Sequence, residues 1–202
     1  MKPVRRVRLV PEARIDLILQ ESLGLFAGQN YATVTTRDIA AACGVNVALI
    51  YYYFKSKDGL FRAVIEHAMQ QAYSTYLQRT RGVRDPVQAL IEWFQVNLEQ
   101  FTSLKKMAQI LVAYNSTGRE MPDVDALIRR IYQSELRLLR ACIRKGVTTG
   151  QFRRVDPKAT ATFVSTHLDG ICFVSMTRPK TNINPLIIAS RDLILNYLRA
   201  RP

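Results

Sequence analysis

Histidine and cysteine are scarce in this chain, and their scarcity removes much of the chemistry that an enzyme of its size would use. Two histidines, His67 and His167, and three cysteines, Cys43, Cys142 and Cys172, occur in 202 residues. No cysteines stand in CxxC spacing and the two histidines lie far apart, so no metal site of ordinary ligand spacing is expected. A nucleophile elbow, a glycine-rich phosphate loop and an HExxH pair are all missing, so neither a cofactor nor an enzymatic activity is expected. Long apolar runs are missing too, because charged or strongly polar residues interrupt every long apolar stretch. No h-region of signal-peptide length follows the basic start MKPVRRVRLVPEAR. The reading is a cytoplasmic protein with reduced thiols and no membrane partner.

Negative charge is also in short supply. Aspartate and glutamate number 16 against 29 lysines and arginines, a net charge of +13, with a pI near 10.1. That excess favours polyanionic partners such as nucleic acid or an anionic membrane, and charge alone does not choose between them.

What is present is a helical pattern. Hydrophobic residues make up 48% of the chain, enough for a proper core. Ile15, Ile18, Leu19, Leu25 and Phe26 fall at helical spacing after Pro11, with Asn30 placed to end that first helix in a left-handed conformation. Thr35 to Asp38 has the form of a capping box and opens a short helix through Ile39 to Ala42. Cys43-Gly44-Val45-Asn46 breaks it, with Asn46 able to cap a second short helix reaching about Tyr53. Ser56 then caps a longer helix running towards Leu77. Five more helices are predicted: Pro86 to about Phe101, Leu104 to Asn115, Asp123 to about Thr148, Pro157 to about Met176, and Asn184 to about Arg199. Gly118, Pro122, Gly146, Gly150, Asp156-Pro157 and the Pro179–Pro185 stretch read as the breaks between them. No period-two alternation is sustained, so the fold class is all-α, about nine helices and no sheet.

Two short helices joined by a tight glycine-containing turn and packed by a preceding amphipathic helix form a helix-turn-helix, whose second helix lies in the major groove. The wording is more specific than the geometry. Phe26, Asn30-Tyr31-Ala32-Thr33-Val34-Thr35-Thr36-Arg37-Asp38-Ile39-Ala40, Cys43-Gly44-Val45 and Ile50-Tyr51-Tyr52-Tyr53-Phe54-Lys55-Ser56-Lys57-Asp58-Gly59-Leu60-Phe61 closely resemble the DNA-binding domain of the TetR family. The resemblance spans about Ile15 to Val64. It departs from the family pattern at Asn30, where glycine is usual, and at Gly59, where an acidic residue or alanine is more common. It implies an N-terminal three-helix DNA-binding domain at 11–57 behind a basic arm at 1–10, and a helical ligand-binding and dimerisation domain at 58–202.

Physical reasoning assigns Ile39, Val45, Ile50 and Phe54 to the core of the reading head, since Ile50 and Phe54 share a face. Val47, Ala48, Leu49, Tyr51 and Tyr52 take the opposite face, and Tyr53 stands open between core and interface. On the family pattern, Thr36, Arg37, Asn46, the tyrosine triplet and Lys57 hold phosphates and orient the reading helix. Arg37 also has the chemistry to reach guanine. Val47, Ala48 and Leu49 occupy base-reading positions without a hydrogen-bonding side chain, which leaves thymine methyl groups as their partners. Lys2, Arg5, Arg6 and Arg8 read equally as a disordered tail or as a minor-groove arm.

The resemblance further implies a small-molecule effector, of apolar or aromatic character, among the middle helices, with Trp93, Phe94, Phe101, Met107, Tyr114, Tyr132 and His167 as candidate contacts. It implies a homodimer through the last two helices, with Phe163, Gly170, Val174, Leu186, Ser190, Leu193, Ile194 and Tyr197 at the interface. The expected function is a repressor that binds a palindromic operator in double-stranded DNA as a dimer. A DNA-organising or partner-controlled protein of the same fold, and an activator, are the alternatives.

Overall fold

The computed structural model describes residues 10–29, 31–116, 118 and 120–200. Nine α-helices build the fold among these residues: α1 (Pro11–Gly28), α2 (Thr36–Cys43), α3 (Val47–Phe54), α4 (Lys57–Arg79), α5 (Pro86–Glu99), α6 (Phe101–Ser116), α7 (Pro122–Thr148), α8 (Pro157–Thr177) and α9 (Ile183–Leu198). An isolated antiparallel bridge between Phe152 and Arg199 ties the α7–α8 loop to the end of α9. No helix among the described residues is long and apolar enough to cross a membrane.

Local chemistry explains the helix starts. Proline opens α1, α5, α7 and α8, in the turn where its missing N–H costs nothing and its fixed φ is already helical. Asp85, Asp156 and Asn182 each accept a hydrogen bond from the backbone N–H two residues on, at 2.9, 2.8 and 3.3 Å. Thr35 and Asp38 form the full capping box of α2.

Helix α1 ends at Gly28, and Gln29 caps it with an extended backbone. Asn30, expected to follow the helix in a left-handed conformation, lies outside the described residues, as do residues 1–9 of the basic arm. Two expectations need correction. The apolar spacing predicts a gap between Phe101 and Leu104; the break is Gln100 alone, and Phe101 opens α6. Gly146 reads as a break, yet it lies inside α7. The buried Phe152 ring packs directly on it, and a Cβ there would stand 2.1 Å from a ring carbon. Gly44, Gly82, Gly118 and Gly150 are the glycines that turn the chain with positive φ.

Two apolar cores hold the helices together. The first begins in the reading head with Ile18, Phe26, Ile39 and Ile50, passes through Phe61 and Ile65 of α4, and ends on Ile110, Tyr114, Val124 and Leu127 of α6 and α7. One continuous core therefore crosses from the head into the larger helical body, so the two are mechanically joined. The second core packs α5, α7, α8 and α9 through Leu90, Phe94, Leu139, Ile143, Val164, Ile187 and Leu198. Cys142 is buried in it and donates to the carbonyl of Pro86 at 3.2 Å. All three cysteines are unpaired.

Candidate nucleic-acid interface and cavity

The turn between α2 and α3 is built from two residues. Gly44 takes the left-handed conformation (φ 64°), and its N–H closes the last turn of α2 on the carbonyls of Ala40 and Ala41. Asn46 then accepts from the N–H of Ala48 at 2.8 Å and starts α3. Ile39 and Ile50 are fully buried, while Val45 and Phe54 are half-buried at the edge of the same core.

The outward face of α3 is aromatic. Tyr52 is 69% exposed and Tyr51 48% exposed, an expensive arrangement in water unless a partner covers it. Tyr53 is half-buried, packs on the first core and meets Tyr52 edge-on at 5.2 Å between ring centroids. Ala48 is exposed and Leu49 half-exposed, but Val47 leans on the core. Of the three apolar base-reading candidates, Ala48 and Leu49 are thus the ones presented outward.

The polar candidates divide as well. Arg37 is exposed on the first turn of α2. Thr36 is buried, with its hydroxyl 3.2 Å from that of Tyr51. Lys57 donates to the carbonyls of Tyr31 and Ala32 and lies 4.2 Å from the centroid of the Tyr31 ring, clamping α4 to the segment after α1. Its ammonium serves the fold before any phosphate. Sequence reasoning missed Lys55, which caps α3 at φ 65°, donates to the carbonyl of Tyr52 at 3.0 Å and is exposed beside the tyrosines. A lysine at a helix C-terminus was the available signal.

Below the head, α4 to α8 enclose a cavity. Its wider part, about 440 Å³, opens between α4, α5 and α7 and is lined by Tyr73, Tyr76, Trp93, Arg130, Glu135 and Leu138. A narrower chamber of about 80 Å³ continues past Met69, Asn97 and Leu104 to Phe101, Met107, Tyr132, Asp169 and Cys172. Trp93, Phe101, Met107 and Tyr132 therefore do line it. Phe94 does not: it is packed in the second core. Tyr114 does not either; its hydroxyl donates to Asp125 and accepts from the N–H of Met121, both at 2.9 Å, bracing α6 against the start of α7.

Burial dominates the electrostatics of the chamber. It pushes the Glu135 carboxyl up to about 7, against the opposing hydrogen bond from Ser165. Burial likewise raises the Asp169 carboxyl and takes the Tyr132 phenol to about 12. Glu135 was legible in principle, as an acid standing on the apolar stripe Ile131, Leu138 and Cys142 of α7.

His167 was grouped with the cavity and belongs elsewhere. It lies on the outer face of α8, stacked on Phe163 at 5.8 Å, with Nε2 2.8 Å from the Ser190 hydroxyl of α9. Around it Phe163, Leu186, Leu193 and Tyr197 are exposed, Leu193 to 71%. Gly170 is open, Val174 half-buried, and Ser190 and Ile194 are buried within the chain. A groove of about 530 Å³ runs between Phe163, His167, Leu193 and Tyr197.

Comparison with known proteins agrees with this architecture. Residues 18–64 match the family described as bacterial regulatory proteins, tetR family. The transcriptional repressor KstR2 of Mycolicibacterium smegmatis is 25% identical over 145 residues, 71% of this chain and 69% of that protein. The nucleoid occlusion factor SlmA of Marinobacter nauticus is 28% identical over 153 residues, covering 74% of each. A solved chain from Saccharomonospora viridis, in complex with choline, superposes with a TM-score of 0.80 at 22% identity, covering 95% of this chain and all of that one. Residues 18–64 therefore carry the helix-turn-helix of the TetR family of DNA-binding transcriptional regulators, and the chain as a whole shares the fold of solved regulators of that family.

Proposed function

We propose that this regulator is a repressor: a homodimer that holds a palindromic operator through α2 and α3 and lets go when a small molecule with an apolar or aromatic body enters the α4–α8 cavity. The observation that carries the reading is the exposed aromatic face of α3, where Tyr51 and Tyr52 stand outward beside Ala48 on a head whose other aromatic residues are buried or half-buried. Phosphate contacts fall to Tyr51, Tyr52, Tyr53, Arg37 and the helix starts, with Thr36, Asn46 and Lys57 holding the elements that present them. Ala48 and Leu49 face the bases. The exposed apolar strip of α8 and α9 supports the dimer, whose two-fold axis would match two half-sites.

Helix α4 links the two sites. Phe61 touches Phe26 and Tyr31 of the head at 5.3 and 4.7 Å and Tyr114 of α6 at 6.0 Å. Met69, two turns further on, lines the cavity. A ligand that displaces α4 at Met69 moves the head through Phe61, changing the spacing of two heads across a dimer. The coupling is reciprocal, so operator must weaken ligand binding by the factor with which ligand weakens operator binding, typically about 5–150-fold.

Selection of binding sites from random duplex DNA tests the reading. A palindrome supports a sequence-specific dimer; sequence-blind, salt-sensitive enrichment overturns it. The similarity to a nucleoid occlusion factor favours one second reading, a DNA-organising protein without an effector. Many scattered genomic sites would favour that reading, and one or two near promoters would favour the repressor. Transcription from such a promoter, with and without the protein, separates repressor from activator.

A further inference from the structure

The cavity has one polarity throughout its inner part. Glu135 of α7 stands where the wide and narrow chambers meet, and Asp169 of α8 stands at the far end of the narrow one. No lysine or arginine lines the narrow chamber. Neither carboxyl group forms an ion pair among the described residues. Arg130 pairs with Glu66 at 3.0 Å in the outer mouth, and Lys105 donates to the carbonyl of Ser175 at 2.9 Å. Arg129 lines the surface pocket on the outer side of Tyr132 and Asp169, and forms no ion pair with either carboxyl among the described residues. Ser165 donates to Oε2 of Glu135 at 3.1 Å, and Oε1 has no hydrogen-bond partner among the described residues. Asp169 is exposed on its outer side, whereas Glu135 is half-buried. In a chain of net charge +13, a half-buried carboxyl facing a cavity without a cation is the exception to be explained, because desolvating such a group unpaired is costly.

The walls supply the other half of the argument. Phe101 and Tyr132 offer aromatic faces, and Leu104, Met107 and Ile131 offer apolar contact. Aromatic faces and apolar side chains beside a half-buried carboxylate are the surroundings that hold a bulky organic cation rather than a small hydrated one. We infer that the effector is a hydrophobic organic cation, a quaternary or protonated amine with an apolar body, whose positive centre is held between Glu135 and Asp169. The inference rests on the effector-cavity reading above and adds the ligand's charge to it. It also gives Glu135 a role in discrimination: an anionic ligand would meet two carboxylates, and a neutral one would leave Oε1 unsatisfied.

Proton linkage follows from the same geometry. Glu135, raised to about 7, is largely protonated in the empty cavity below that pH. A cation selects the carboxylate, so binding releases a proton and tightens as pH rises from 6 to 8. The other ionisable groups around the site are Glu66 and Arg130, which hold each other, Tyr73 and Tyr76 in the wide chamber, Asp169, and the raised Tyr132 phenol. The Cys172 thiol, raised to about 11, has Lys105 near it, and Asp125 and Arg129 lie on the outer side of Asp169.

Calorimetric titration of the purified full-length protein with three probes of similar size tests the inference: benzyltrimethylammonium, its uncharged isostere neopentylbenzene, and phenylacetate. The expected result at pH 8 is preference for the cation by roughly tenfold or more over the isostere, shrinking at pH 6. Glu135→Gln should lose that preference and its pH dependence while still binding neopentylbenzene, a pattern that a merely misfolded variant would not give. Equal or tighter binding of neopentylbenzene or phenylacetate by the wild type overturns the charge assignment and leaves the cavity reading standing. Binding of none of the three overturns both.

Discussion

The hydroxyls of Thr36 and Tyr51 lie 3.2 Å apart, the first buried at the start of α2 and the second on the exposed face of α3. The bond fixes the rotation of α3 against α2 and leaves the Tyr51 hydroxyl with further capacity to meet a phosphate. Tyr51→Phe keeps the ring and removes the bond. Operator affinity should fall by roughly fivefold, the worth of about 1 kcal/mol for one hydrogen bond, with a modest drop in Tm because the buried Thr36 hydroxyl loses its partner. Fluorescence anisotropy on the selected operator measures this. Wild-type affinity in the variant would show that the Tyr51 hydroxyl neither contacts the operator nor sets the pose of α3.

Lys55 and Gly59 form a second pair whose geometry is set by the backbone. Lys55 turns the chain at φ 65°, which brings the carbonyl of Phe54 over the first turn of α4. A Cβ on Gly59 would stand 2.2 Å from that oxygen. Gly59 is therefore required here, although the resembled family more often carries a side chain at its position. Gly59→Ala should cost about 1–3 kcal/mol, read as a lower Tm and weaker operator binding together, since the tight turn sets how α3 meets α4. An unchanged Tm would mean that the turn relaxes freely.

Gly146 and Phe152 depend on each other in the same way, far from the head. Gly146→Ala should destabilise by about 1–3 kcal/mol by forcing the Phe152 ring out of the second core. Combining it with Phe152→Leu should give less than the sum of the two single losses, because the smaller side chain removes the clash. Additive losses in denaturant unfolding would show that the two residues act separately.

Much of this architecture was legible because it is local. Thr35 to Asp38, Asn46, Ser56 and the N1 prolines announce helix starts through bonds to their own neighbours. The reading head is one continuous stretch of about fifty residues. What escaped depends on how helices meet. Nothing within α8 says that His167 faces outward to Ser190 while Asp169 faces the chamber, because the rotation of a helix about its axis is fixed by its neighbours. Gly146 looked like punctuation because its partner, Phe152, reaches it only after the loop has folded back. Val47 and Leu49 are chemically alike, and only packing separates the one that leans on the core from the one that is left half-exposed.

Ala48 and Leu49 lead to a prediction about the operator instead of the protein. On the proposed reading, with no hydrogen-bonding side chain to offer, they would discriminate bases through contact with the thymine C5-methyl group. Replacing thymine by uracil at the half-site positions under α3 should weaken binding by about 1 kcal/mol per methyl lost, and Leu49→Ala should abolish the difference at one of those positions. If uracil is tolerated everywhere, base discrimination must come from Arg37 or from the shape of the duplex.

Glu135 makes a prediction that needs no ligand. Its carboxyl is raised from about 4.5 in the unfolded chain to about 7 in the folded one, chiefly by burial. The folded state therefore binds the proton more tightly than the unfolded state does. Stability from this group is complete below pH 4.5 and is lost as pH rises through 7, by at most about 3 kcal/mol. Glu135→Gln removes the titration and keeps a polar group beside Ser165. The gap in unfolding free energy between variant and wild type should move in the variant's favour between pH 5 and pH 8, read from urea unfolding in parallel buffers. Other titrating groups cancel in that difference. A gap that stays constant across this range would mean that water reaches the Glu135 carboxyl in the empty cavity and keeps it ionised. The chamber would then be wetter than its walls suggest, and the cost of an unpaired carboxylate would no longer argue for a cationic ligand.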